Sequence, residues 1–374
     1  MYLCGTDPRN TSYGGEQRTH FIWQGLKQCA DVYTIVPVPR KYLERTDNEN
    51  KIYWVCFEQR WTLGWIIWRV IQRFIPRLGF STGLKSLAHV VGRLPICPDV
   101  CVVRHIFMAS RFKAWQVAPL IIDSDDLESE NYDTHHQHKI KFYHQLVLWY
   151  IRQHEKKISL KVRHVWIVNP MHLPNIKSRS ILPNISPGEK EDFSNILGDS
   201  NTLLFVGYGS SSPNYMGVDS FLTRHWHDLL RVFPNLRLKV VGFGYPVAFS
   251  LKWRQYQGID MLGFVDDLPR LYRDCLCALN PREMGTGSSL KTVEPLAYGR
   301  VCVSTVFGAR GQTEHENNGV LTFTDTPELI KILSTLQNPN HRIMLQQQAR
   351  KYNQIHHSQQ MVDDIINKTL GKIS

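Results

Sequence analysis

Lys291 and Glu294 stand three residues apart, just after a turn made of Gly285, Thr286, Gly287, Ser288 and Ser289. In a helix that spacing puts an ammonium and a carboxylate on neighbouring positions of one face. A turn rich in Gly and Ser that opens a helix presents free backbone N–H groups and the positive end of the helix dipole, a setting suited to a phosphate. The ammonium can neutralise phosphate and the carboxylate can accept from ribose hydroxyls. Together they read as a nucleotide site, against the plainer reading of a solvated ion pair. Arg282 and Glu283 follow an expected strand end, where the ligands of α/β proteins collect. A second turn, Gly207 to Ser210, also follows a strand and is either a set of backbone donors to a diphosphate or a tight turn.

Acidic chemistry is concentrated in IIDSDDLES, where Asp123, Asp125 and Asp126 run from a strand into a loop. A carboxylate there can orient a hydroxyl nucleophile or stabilise developing positive charge. Asp126 also suits the N-cap of the next helix. Lys291, Asp125 and Asp126 carry the catalytic assignment, with Arg104 and His105, at the end of a neighbouring strand, as further candidates. His135, His136 and His138 lack spaced cysteine or carboxylate partners and read as a polar helix start, so no metal is expected there.

Between Glu58 and Asp99 there is no acidic residue. At about 100° per residue, Ile67, Val70, Ile71, Phe74, Ile75 and Leu78 gather on one side of a helix, and Arg69, Arg73 and Arg77 on the other. Trp61, Trp65 and Trp68 add indoles, Trp68 at the margin of the apolar side and Trp65 on the polar one. These residue classes suit a helix lying in an anionic membrane interface. The alternative is an amphipathic helix packed on a sheet with its arginines in water.

The elements that must position these groups alternate strand and helix. A strand tail at 1–5, a loop with Gly14 and Gly15, a helix from 16 to 30 and a strand at 31–37 open a doubly wound unit. Strands are expected at 100–103, 120–123, 165–168 and near 181, and a helix through 139–156. A polar stretch from 186 to 201 separates them from a second series, with strands at 203–207, 237–242, 276–279 and 301–305 and helices near 217–232, 247–255 and 289–298. The expected division is a first domain at 1–190, a second at 201–350 and a terminal segment at 351–374.

The 374 residues suit two domains, and 43% hydrophobic with 21% charged residues is a globular composition. A formal charge of +11 favours an anionic partner. The eight cysteines are scattered, which argues against a disulfide framework or a zinc site and for reduced, mostly buried thiols in a cytoplasmic protein. No run reaches the roughly 18 apolar residues of a spanning helix.

The segment from Leu279 to Gly311 resembles the donor-binding motif of retaining GT-B glycosyltransferases of the family-4 type, the glycosyl transferases group 1: Pro281, Gly285, Gly287, Lys291, Glu294, Gly299 and Gly311 fall in the family's spacing. LLFVG at 203–207, LKVVGFG at 238–244 and GFVDDL at 263–268 follow the same order, and Gly14, Gly15 and Arg18 match the family's opening. The resemblance covers about residues 200 to 350 well. One position departs: many relatives carry a glutamate eight residues before the one matching Glu294, and here that residue is Thr286.

The resemblance implies two Rossmann-like α/β domains facing across a cleft, a terminal helix at about 357–370 that crosses back to the first domain, a nucleotide diphosphate sugar as donor substrate, no bound metal or other cofactor, and retention of configuration. It implies donor contacts at Gly14, Gly15, Gly207, Arg282, Glu283, Gly285, Gly287, Ser288, Ser289, Lys291 and Glu294. With the Trp- and Arg-rich segment it points to a lipid-linked or oligosaccharide acceptor in bacterial polysaccharide synthesis. The protein would then be cytoplasmic and peripheral to the inner membrane, with an anionic membrane surface and no nucleic acid as partner. The rival reading is a basic nucleotide- or lipid-binding protein of the same fold without transferase activity.

Overall fold

The computed structural model describes residues 1–39, 42–58, 84–136, 141–170, 172–173, 176–186, 190–285, 289–312 and 318–373. The chain divides into two units, one of Met1–Pro183 with Gln359–Ser374 and one of Asn184–Ser358. The division falls just before the polar stretch expected to act as linker.

In the first unit the chain runs β1 (Tyr2–Leu3), α1 (Gly14–Cys29), β2 (Thr34–Val38), β3 (Arg45–Asp47), β4 (Ile52–Cys56), α2 (Leu87–Val91), β5 (Cys101–Arg104) and α3 (Ile106–Arg111). It continues through β6 (Leu120–Ser124), α4 (Glu128–His136), α5 (Lys141–Ser159), β7 (His164–Ile167) and β8 (Arg179–Ile181). The sheet order is β3-β4-β2-β1-β5-β6-β7-β8, parallel except for β3 against β4. Its central strands are buried on both faces, which is why they read as continuous apolar runs. The β3–β4 hairpin is an addition to the expected elements. Gly14 and Gly15 form the first turn of α1 and not the loop before it.

The second unit runs β9 (Thr202–Val206), α6 (Ser212–Phe221), a π turn at Leu222–Trp226, α7 (His227–Val232), β10 (Arg237–Val241), α8 (Val247–Trp253), β11 (Ile259–Gly263) and α9 (Leu268–Asp274). Then come β12 (Cys277–Asn280), α10 (Leu290–Ala297), β13 (Cys302–Thr305), β14 (Val320–Phe323), α11 (Thr326–Gln337) and α12 (Pro339–His356). Its six strands are all parallel, in the order β11-β10-β9-β12-β13-β14. The order turns at β9, so the loops after β9 and β12 open side by side, the place where such sheets collect ligands. Asp267, Asp325 and Asn338 cap α9, α11 and α12 with side-chain oxygens. Phe205, Leu238, Leu279 and Val303 supply the apolar core against Phe221, Trp226 and Leu333.

The last helix, α13 (Gln359–Leu370), belongs to the first unit. It lies so close to α1 that a Cβ at Gly25 would stand 2.7 Å from Ile366 Cδ1. Trp166 Nε1 donates to Thr369 Oγ1 at 3.1 Å and fixes its far end. Six of the eight cysteines are buried and all are free; Cys29 and Cys97 are exposed.

Candidate functional site

In the second unit the polar groups gather around the start of α10. Ser289 is its N-cap residue, yet its side chain makes no capping bond. Ser289 is 5% exposed, and its hydroxyl has no partner among the described residues. A buried hydroxyl left without a partner costs about 1–3 kcal/mol, and an acceptor placed here would remove that cost. Two residues into the helix stands Lys291. Burial, and then the nearby Arg282 guanidinium, push its ammonium down to about 8 despite Glu294. Arg310 Nη2 donates to the Gly285 carbonyl at 3.0 Å, and the Arg282 guanidinium occupies the space that a side chain at Gly285 would fill. Gly285 has φ +114°, which admits little but glycine. Two cations beside the positive end of a helix repel each other, and a polyanion relieves that repulsion.

Proline shapes this helix. Pro295 has no N–H to give the carbonyl of Lys291, one turn back, and Cys302 Sγ approaches that carbonyl at 3.7 Å instead. Asn280, fully buried, donates to Thr292 Oγ1 at 3.1 Å and to the Gly308 carbonyl at 3.0 Å, which locks the end of β12 to α10 and to the loop after β13. Glu294 accepts from the Tyr272 hydroxyl at 3.0 Å. Burial raises the carboxyl of Glu294, while Tyr272, Lys190 and Lys291 oppose the rise.

Two expected contacts take a different form. The N–H of Gly207 donates to the Val241 carbonyl at 3.0 Å and that of Gly209 to the Phe243 carbonyl at 2.8 Å, so neither is left to bind a diphosphate. The reason is the close crossing of the loops after β9 and β10, which also brings the Tyr245 hydroxyl to the Gly207 carbonyl at 2.9 Å. Gly207 serves by being small: a Cβ there would stand 2.9 Å from Lys291 Cε. Glu283 has both oxygens engaged, one by Arg224 at 2.7 Å and one by Ser220 at 3.0 Å. It borders a cavity of about 440 Å³ lined also by His225, Thr305, Phe307 and Phe323, to which neither Ser289 nor Lys291 contributes.

In the first unit a second cluster stands at the ends of β5 and β6. Asp123 is wholly buried between two arginines: Arg18 reaches it at 2.6 Å and 3.0 Å, and Arg104 donates to its other side. Arg18 also donates to the Leu182 carbonyl at 3.1 Å. Asp125, next along, takes Arg104 at 3.2 Å and His105 Nδ1 at 3.2 Å and is part-exposed. Burial alone would raise Asp125, but Arg104, His105 and Arg18 outweigh it and hold the carboxyl well below its usual range. Arg104 is held above its ordinary value in turn: burial opposes the charge, and Asp125 and Asp123 overcome it. His105 adopts φ +67°, a conformation rare for a residue with a side chain, and its N–H donates to the Asp123 carbonyl at 2.8 Å.

Asp123 is therefore an anchor, and Asp125 with His105 is the pair presented outward. Arg18 as the clamp on Asp123 was missed in the sequence, because 105 residues separate them. Asp126 shows a backbone contact, its carbonyl accepting from Ser124 Oγ at 3.5 Å. Gly14 and Gly15 stand in the first turn of α1, whose N–H groups have no intrahelical partner, and Glu16 brings a carboxylate there that accepts from the Ser12 N–H at 3.0 Å. Trp61, Trp65, Trp68, Arg69, Arg73, Arg77, Thr286, Gly287, Ser288 and His138 lie outside the described residues, as do the side chains of His135 and His136.

Residues 200–338 match the family described as Glycosyl transferases group 1. Among solved structures the chain is similar to the sucrose-phosphate synthase of Thermosynechococcus elongatus, with a TM-score of 0.68 at 11% identity over 100% of this chain and 98% of that one. It is similar to Anabaena HepE in complex with UDP-glucose, with a TM-score of 0.60 at 13% identity over 99% and 98% of the two chains. It is similar also to WaaG, a glycosyltransferase involved in lipopolysaccharide biosynthesis, with a TM-score of 0.60 at 15% identity over 98% of both chains. Of the longer TarM it spans 54%. No curated protein matches by sequence. The chain thus has the fold of the GT-B glycosyltransferases, and its residues 200–338 are similar to the glycosyl transferases group 1.

Proposed function

We propose that the protein transfers a sugar from a nucleotide diphosphate sugar to a saccharide acceptor, without a metal and with retention of configuration. The observation that carries this reading is the start of α10, where the Ser289 hydroxyl, without a partner among the described residues, stands with Lys291 and Arg282 at the positive end of the helix. In the reaction the bond from the sugar's anomeric carbon to the diphosphate breaks, and its electron pair stays on the diphosphate. Preorganised cations and N–H donors are suited to hold that leaving charge. A hydroxyl of the acceptor forms the new bond, and its proton passes to an oxygen of the departing diphosphate. Asp125, kept ionised, is the group we assign to orient that hydroxyl or to stabilise positive charge on the sugar. Glu294 is assigned to the ribose hydroxyls. HepE has been seen with UDP-glucose, which supports a uridine donor.

The acceptor we infer is lipid-linked and belongs to a cell-surface polysaccharide, with the protein peripheral to the cytoplasmic face of the inner membrane. The basic, Trp-rich segment 61–77 and the likeness to WaaG support this. Thr286, in place of the family's first glutamate, favours a second reading: a binding protein of the same fold without turnover. Thermal-shift screening with a panel of nucleoside diphosphates, followed by release of nucleoside diphosphate from the matching sugar donor with membrane extract, tests both. Stabilisation with release supports transfer, stabilisation without release supports the second reading, and indifference to every nucleotide refutes both.

A further inference from the structure

The helix α5 is unusual in what it leaves in water. Phe142 is 81% exposed, Leu146 54%, Trp149 58% and Leu160 78%. Their spacing, four, three and eleven residues, is that of one stripe along a helix. The opposite stripe of α5 is the packed one, with Val147, Leu148, Ile151 and Ile158 buried. From Phe142 to Trp149 the outward stripe runs about 11 Å at 1.5 Å per residue, and Leu160 stands just past the last residue of the helix. Soluble monomers seldom leave so much aromatic and aliphatic surface together in water without a partner for it.

The charge on this face selects the partner. Arg152, Lys156, Lys157 and Lys161 are exposed along the same stretch. Lys161 also stands 4.1 Å from the centre of the Trp115 ring, which adds an indole at that end. The single acidic residue of α5, Glu155, points inward and accepts from the N–H and hydroxyl of Ser129 at 3.0 Å and 2.7 Å. On the neighbouring α4, Asp133 pairs with His144 at 2.8 Å and Glu130 with His172 at 3.1 Å.

We propose that the outward face of α5 is a docking surface for an anionic lipid bilayer, with Phe142, Leu146, Trp149 and Leu160 entering the interface and Arg152, Lys156, Lys157 and Lys161 meeting lipid phosphates. Long basic side chains lay their stems along apolar surface while their charges reach the headgroups, and each adds attraction to an acidic leaflet that salt screens. The inference rests on the membrane part of the proposed function and gives it a surface other than the segment 61–77.

The test is flotation of the full chain with vesicles of phosphatidylcholine alone and of phosphatidylcholine mixed with phosphatidylglycerol. The wild type is expected to float with the mixed vesicles and to be released by salt. Phe142→Ser, Leu146→Ser and Trp149→Ser together should lower the partition coefficient at least tenfold. Lys156→Gln with Lys157→Gln should lower it severalfold on mixed vesicles alone. Both variants should keep the wild-type melting temperature and the wild-type shift with nucleoside diphosphate, so failure here is distinct from failure of the donor reading. Flotation of the triple variant like wild type overturns the proposal, as does a wild type that ignores both vesicles. A wild-type dimer in light scattering that the triple variant splits also overturns it, in favour of a second copy as the occupant.

Discussion

Gly207 and Lys291 share one volume: a Cβ on residue 207 would stand 2.9 Å from Cε and 3.0 Å from Nζ of the lysine. The glycine at the end of β9 is what lets an ammonium on α10 lie across the loop. Gly207→Ala is expected to leave the fold within about 1 kcal/mol of wild type while displacing the ammonium. Affinity for a nucleoside diphosphate should fall by about tenfold, a change of roughly 1.4 kcal/mol. Titration calorimetry checks this, and unchanged affinity would show that Lys291 does not hold the phosphates.

Lys291→Met should lose turnover and gain stability. The folded protein holds this amine near 8, against an ordinary value of 10.5, so between those values the unfolded chain binds more protons. The contribution of Lys291 to stability therefore rises with pH from about 8 towards 10.5 and is unfavourable below. Melting temperatures measured across that window should rise less steeply in the variant. Nucleoside diphosphate affinity of the wild type should weaken above pH 8 and that of the variant stay low and flat. A variant that turns over normally would remove Lys291 from the site.

Asp123 and Asp125 should separate under mutation. Asp123→Ala leaves two buried guanidinium groups without their shared carboxylate, and breaking such a buried pair costs about 3–5 kcal/mol. Denaturant unfolding reads this directly. Asp125→Asn removes a part-exposed partner of Arg104 and should keep most of the stability while lowering kcat by about a hundredfold or more. Because Asp125 is held well below its ordinary 3.8, its stabilisation is present above that value and lost as pH falls beneath it. The asparagine variant should show a smaller acid loss.

Tyr272→Phe should cost about 1 kcal/mol for the lost hydrogen bond and free the Glu294 carboxylate to turn. A fall in nucleoside diphosphate affinity with little change in that of inorganic diphosphate is expected, since Glu294 is assigned to ribose and not to phosphate. Equal losses for both ligands would contradict that assignment.

Much of the architecture was legible because strands buried on both faces must be runs of apolar, β-branched residues; 120–123 and 203–207 announce themselves in that way. β11 and β14 are less legible because they are largely half-exposed, and β11 also sets Asp260 among its apolar residues. The π turn at 222–226 has no such signature, since its residues suit an α-helix equally well.

At the site, local spacing determined the parts that one helix holds: Ser289, Lys291 and Glu294 on a single short element after a glycine turn, and a basic charge that calls for an anion. Only the tertiary structure decided which of three aspartates is the anchor, that Arg18 clamps it, that the N–H of Gly207 is already used, and that Glu283 belongs to Arg224. Helical spacing is written in consecutive residues and survives without the rest of the chain. A contact such as Arg18 with Asp123 depends on which strands become neighbours, and that is settled by packing the whole sheet.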